Sequence, residues 1–223
     1  MGDLLRTVLP LALGAAISPT IVALVTAVLA SGDDAVRRAT ALTAGAAIPL
    51  LVIGGVLLGT VHAAGVEHGP RHEKFDGMVD LVFAVVLAGL AVRALKPAPT
   101  PQERQAERAE HAPGGTGRYV ALGFGVMLVN FSTLAMFIPA VKDIVRARAR
   151  SPVGEVVALL VVIVIVLIPA WGPLLLRVAF PERAARVLRP LGRWMANHQR
   201  QLGGWVAAVF AAYLLLRGVL ELR

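Results

Sequence analysis

Two short stretches place polar chemistry inside greasy sequence. GAAISPTIVALVTAVLA, residues 14 to 30, has no charge and apolar residues on every face, yet Ser18-Pro19-Thr20 interrupts it near its start. GVMLVNFSTLAMF, residues 125 to 137, carries Asn130 and Ser132 in a similar setting. The chemistry on offer is hydrogen bonding. A proline inside a helix removes the bond to the carbonyl four residues back, here Ala15, and kinks the chain. Where lipid surrounds the helix, that carbonyl needs another donor, and the hydroxyl of Ser18 or Thr20 could supply it. Gly14, Ala15 and Ala16 are small enough to let another helix come close. Asn130 is an amide that an apolar helix carries at a cost unless it is paired or faces a cavity. Ser18, Pro19, Thr20, Asn130 and Ser132 are therefore the candidate binding residues. They would line a central path.

Other residues have weaker claims. Pro49 and Pro169, with Pro173, give two further helices weak points that read as hinges or as kinks for packing. Arg93 and Arg217 sit near the ends of two similar helices. They could snorkel to headgroups, or guard the two mouths of a path for an anionic substrate. Asp80 and Glu155 lie near helix starts, where a carboxylate complements the dipole, and no carboxylate is expected deep inside. His62, His68 and His72 in HAAGVEHGPRH are irregularly spaced between Gly65, Gly69 and Pro70, which suggests an exposed loop and no metal site. Nothing pairs a nucleophile with a base, and no glycine loop cradles phosphate. Neither catalysis nor a cofactor is expected.

The elements that must hold these residues follow from composition. Of 223 residues, 57% are hydrophobic and 16% charged, where a soluble domain carries about 25% charge. The apolar residues gather into six blocks: Leu4–Ala30, Ala39–Val61, Gly77–Leu95, Tyr119–Ala140, Val153–Ala179 and Leu202–Leu222. Each approaches the ~20 residues that a helix needs to cross a bilayer. VVALLVVIVIVLIPAW, residues 156 to 171, has no polar face at all, as a soluble helix would require. The expected fold class is all-α, a polytopic membrane protein with six transmembrane helices. The first block exceeds the roughly 7–15 apolar residues of a signal peptide and follows a weak basic start, so it reads as a retained helix. The absence of cysteine rules out disulfides and thiolate metal sites. The net charge of +8 comes from arginines beside apolar helices. Anionic lipid headgroups, not nucleic acid, are the expected partners.

Six crossings put both termini on one side. That side holds nine of the 22 Lys and Arg and the other thirteen, so the positive-inside rule turns the termini outward across the plasma membrane. An internal echo divides the chain. VFAVVLAGLAVR (residues 82 to 93) aligns with VAAVFAAYLLLR (residues 206 to 217), Ile48-Pro49 matches Ile168-Pro169, and Ser18-Pro19-Thr20 lines up within a residue with Asn130-Phe131-Ser132. Three helices are an odd number, so a second copy enters the membrane reversed. Such inverted repeats are common in secondary transporters, with the substrate site near the midplane at their interface. The expected organisation is a first repeat over 1–95, a linker over 96–118 that holds a short helix at Pro101–His111, and a second repeat over 119–223. In PERAARVLRPLGRWMANHQRQ, Val187, Leu188, Leu191, Trp194 and Met195 recur at helical spacing among arginines. A basic amphipathic segment of this kind lies in the membrane interface, with Pro190 expected to break or kink it.

A Gly- and Pro-containing first helix, the loop ending in Arg37-Arg38, TAGAA in the second helix and GFGVMLVNFSTLAMFIPAVKDI in the fourth resemble the LysE superfamily of six-helix exporters. Within it, the RWMANHQRQLGGW and YLLLRGV ending is similar to the actinobacterial GAP/Sap group, the glycolipid- and sulfolipid-addressing proteins. The superfamily often carries Asn-Pro in its fourth helix. This chain has Asn130-Phe131, so unwinding there does not follow from the likeness. What the resemblance implies is export or flipping of a cell-envelope glycolipid or lipid-linked precursor. A small-solute exporter of the amino-acid type and a non-transporting scaffold for envelope biosynthesis are the alternatives, and self-association into a homo-oligomer is compatible with each.

Overall fold

The computed structural model describes residues 2–31, 34–63, 70–94, 115–146 and 152–222, and every regular element among them is a helix. In chain order these are α1 (Gly2–Ala16), α2 (Pro19–Ala30), α3 (Ala35–Ala63), α4 (Pro70–Ala94), α5 (Thr116–Leu128), α6 (Phe131–Arg146), α7 (Pro152–Val166), α8 (Ile168–Ala179) and α9 (Pro181–Leu222). Most of the linker, including the helix expected at Pro101–His111, lies outside the described residues, as does His68. His62 and His72 belong to the ends of α3 and α4.

The apolar blocks correspond to single helices or bent pairs. By length and composition Ala35–Gly59 and Gln201–Leu220 can each cross a membrane alone. Three further candidates are bent pairs, α1 with α2 (48°), α5 with α6 (73°) and α7 with α8 (67°), which brings the total among the described residues to five if each pair is one span. The block expected as the third crossing falls within α4, which is not among these candidates. The helices are those of a membrane protein. On α7, Ala158, Leu159, Val162, Ile163 and Val166 face inward, while Val156, Leu160 and Val164 repeat every four residues on the outside at about half exposure. Water would penalise that outer stripe. Lipid does not.

Since lipid tails remove most of the hydrophobic drive for helices to associate, close contact must come from shape. α3 and α5 show how. A methyl group on Gly45 would overlap the Val120 carbonyl, and one on Gly123 would overlap the Leu42 carbonyl. The two backbones touch at reciprocal glycines, and the small-residue TAGAA stretch is what allows it. Gly14 likewise seats the Phe210 ring, and Gly192 lies against the Thr26 hydroxyl. Thr26 itself donates to the carbonyls of Val22 and Ala23, at 2.7 and 2.9 Å, so its burial leaves the hydroxyl satisfied. Overpacking costs about 1–3 kcal/mol and more where backbone must move. A Gly123→Leu chain should therefore unfold roughly 5–10 °C below the native chain in detergent. Gly55→Leu is the control, because no atom lies within 4 Å of its added Cβ; it should melt like the native chain.

One expectation is corrected here. Pro190 does not break the segment before the last crossing: α9 is continuous over 42 residues, about 63 Å. Pro190 is on the exposed face, where water or headgroups can reach a freed carbonyl. α9 packs along α4 and α2 and folds back on α8.

Candidate functional site

The first break falls between Ala16 and Pro19. Proline at the first position of α2 has no N–H to offer the Ala15 carbonyl, so the chain turns: Ile17 N–H donates to Gly14 O at 3.1 Å and Ser18 N–H to Ala16 O at 2.9 Å. Ser18 and Pro19 are buried, and Thr20 is half-buried. The freed Ala15 carbonyl does find a hydroxyl, but neither of the local ones. Thr133 Oγ1, on α6, donates to it at 3.2 Å. A backbone group released in one bent pair is thus satisfied by the other.

The second break needs no proline. Val129 closes α5 by donating to Gly125 O, and Asn130 then stands at the N-cap of α6, its carbonyl accepting from Leu134 N–H at 3.0 Å. Its side chain is an organiser. Oδ1 accepts from Ser132 Oγ at 3.0 Å and from the backbone N–H of Thr133 at 3.4 Å, the capping pattern that favours Asn at this position. A backbone N–H on Oδ1 fixes which end of the amide is which. Nδ2 therefore points across and donates to Ser18 Oγ at 3.0 Å. Asn130 is 2% exposed, Thr133 2% and Ser18 6%. The two breaks meet in one buried polar knot where α1 packs on α6.

The structure thus brings Ser18, Asn130 and Ser132 together, with Pro19 and Thr20 in the adjoining turn. Thr133 was missed, because its bond to the Ala15 carbonyl joins segments 118 positions apart and no local signal marks it. Pro49 and Pro169 do not behave alike. α3 runs unbroken through buried Pro49, whereas α7 and α8 bend by 67° at Leu167, two residues before Pro169. There the Trp171 indole N–H donates to the Val164 carbonyl at 2.9 Å, supplying a donor at the bend.

Arg93 is exposed near the end of α4. Arg217 is not its counterpart in setting. The guanidinium forks onto Asp143, with Nη1 donating to Oδ2 at 2.6 Å and Nη2 to Oδ1, and its Nε lies 3.2 Å from Asp80 Oδ2. Lys142 Nζ donates to Asp80 Oδ1 at 2.6 Å. Asp80 is fully buried and Asp143 nearly so, against 15% exposure for the Lys142 and Arg217 side chains. The expectation that no carboxylate lies deep in the bundle is therefore corrected. Asp80 sits well inside α4 and not in its first turn, so cationic partners, not a helix dipole, compensate it. Glu155, also buried, does lie in the first turn of α7. A usable sequence signal existed: Asp80, Lys142, Asp143 and Arg217 all fall toward the same side of the expected topology, with charges that cancel.

A family model described as Sap, sulfolipid-1-addressing protein, matches residues 8–220. Neither the curated proteins nor the solved structures contain a match.

Proposed function

The chain belongs to the Sap, sulfolipid-1-addressing protein family, and from that membership we propose that it is a membrane transporter that exports or flips a cell-envelope lipid with a polar, anionic headgroup. The family's name points to lipid addressing rather than catalysis. The observation that carries a transport reading over a scaffold is the buried knot between two helix breaks, Asn130 to Ser18 and Thr133 to Ala15. A scaffold has no use for non-helical backbone in the middle of an apolar bundle. A transporter does, because broken helices offer polar groups at membrane depth while the surrounding protein satisfies the rest.

Further support comes from how the helices pair. α1 packs on α7 as α5 packs on α3, α2 packs on α9 as α6 packs on α4, and α4 and α9 pack on each other. Those are the pairings expected of two three-helix units related by a two-fold axis in the membrane plane. On this reading α4 is the sixth crossing, its charge offset by partners on other helices, and α1–α4 and α5–α9 rock about the knot in the plasma membrane with the termini outward. Ser18, Thr20, Asn130 and Ser132 then meet the headgroup in turn.

Purified chain in lipid vesicles should move a fluorescent sulfated or phosphorylated lipid between leaflets at least tenfold faster than empty vesicles. Movement of a free amino acid without lipid would favour the small-solute exporter. Movement of neither would favour the scaffold.

A further inference from the structure

We propose that Asp80, Lys142, Asp143 and Arg217 form an ion-pair latch that holds α6 closed against α4 and α9, and that must part for the pathway to open at the end where α6 and α9 finish. The inference rests on the transport reading above but concerns a different part of the molecule.

Three observations carry it. The four residues come from three helices, α4, α6 and α9, so the cluster is a tie between elements and not the trimming of one. Their formal charges cancel, and each carboxylate faces a cation at hydrogen-bond distance. Ionised groups at membrane depth are tolerated when paired in this way, and such pairs mark functional pathways. Finally, the tie sits on the lever that the knot defines. α6 begins at the Asn130 cap and carries Lys142 and Asp143 in its last part, about 18 Å along the same helix. A 73° bend separates it from α5. A short helix with a chain break at one end and a charge clamp at the other can swing once the clamp lets go.

The chemistry suits a latch better than a permanent rivet. The Arg217 fork on Asp143 is directional and strong while dry, yet 15% of both the Lys142 and Arg217 side chains is exposed. Entering water can solvate the cations first and weaken each pair, since the same charges attract far less in high dielectric. The closed state is dry and paired. The open state is wet and parted.

The chain has no cysteine, so an introduced pair is the sole site for thiol labels. Spin labels at Val145→Cys on α6 and Leu220→Cys on α9, in lipid nanodiscs, should give one dominant short distance in the otherwise native chain. Adding Asp143→Asn with Arg217→Gln removes one cation and one anion together, leaves the Asp80–Lys142 pair, and should raise a longer-distance population at least tenfold. Arg217→Lys, which retains the charge, should stay mostly short. An unchanged distribution in the neutralised chain overturns the latch.

Should the double variant not fold, the same cysteine pair can be bridged in the otherwise native chain by a reductant-cleavable methanethiosulfonate. Lipid movement should stop and return with reductant. Movement at the unbridged rate overturns the proposal. If the native chain moves no lipid but neutralisation still lengthens the label distance, the latch stands and the transport reading falls.

Discussion

A chain with Asn130 replaced by leucine is expected to reach the membrane folded and to move lipid at least a hundredfold more slowly than the native chain. The energetic side of that expectation is modest. Losing an N-cap costs about 1 kcal/mol, and a hydrogen bond between membrane helices is worth roughly 0.6–1.7 kcal/mol. Ser18 keeps a rotatable hydroxyl that can turn to a carbonyl of its own turn, so no charged group is stranded. The functional side is severe. Leucine supplies neither the Nδ2 donor that reaches Ser18 nor the Oδ1 acceptor that gathers Ser132 and the Thr133 N–H. The polar face of both breaks is lost together. Asn130→Ser retains a capping oxygen without the reach to Ser18 and should stand between the two in rate while melting close to the native chain. Leaflet-to-leaflet movement of a fluorescent anionic lipid, read beside thermal unfolding in detergent, separates the two effects. Native rates from the leucine chain would remove Asn130 from the path.

How much of this site could be read from sequence depends on whether the signal was local. A proline inside an apolar run announces a broken helix wherever it occurs, and Pro19 made the break at Ser18 legible. An amide in a row of valines, leucines and methionines announces a polar position, and Asn130 was legible on that ground. The break beside it was not, because the expected proline is replaced by Phe131 and the capping geometry of Asn130 does the breaking instead. Register was beyond reach. The Ala15 carbonyl freed by Pro19 takes a donor from Thr133, 118 positions on, and nothing near Pro19 hints at it while Ser18 and Thr20 stand closer in sequence. Pro190 was overread as a break for a related reason: whether a helix survives a proline depends on what can reach the freed carbonyl, and that is a property of the neighbours.

The charged cluster was the largest omission, and it has a physical cause. Hydropathy places a charge within a helix but not around it. Lys142 and Asp143 fell outside the fourth apolar block, Tyr119–Ala140, and Arg217 looked like a headgroup anchor, because each was judged against lipid and water. Judged against one another they are partners. Their helices, α4, α6 and α9, are distant in sequence and adjacent only after folding.

The second large effect tests that partnership by charge balance. Arg217→Gln is expected to destabilise the chain by about 3–5 kcal/mol, the usual cost of removing one member of a buried ion pair. Among the four residues it leaves two buried carboxylates and one cation: Asp80 keeps the Lys142 ammonium, while the guanidinium that Asp143 faced is gone. Asp143 loses both arms of the guanidinium fork and would have to draw in water. Adding Asp143→Asn removes the stranded charge and leaves Asp80 with Lys142, so most of the lost stability should return although a further native interaction has been deleted. That recovery is the diagnostic. Damage from two unrelated substitutions would add, whereas damage from an unpaired charge is cancelled by removing its partner. In thermal unfolding the single variant should fall by roughly 10 °C and the double variant should recover more than half of that. Arg217→Gln melting with the native chain, or a double variant less stable than either single one, would mean that these charges do not meet inside the bilayer.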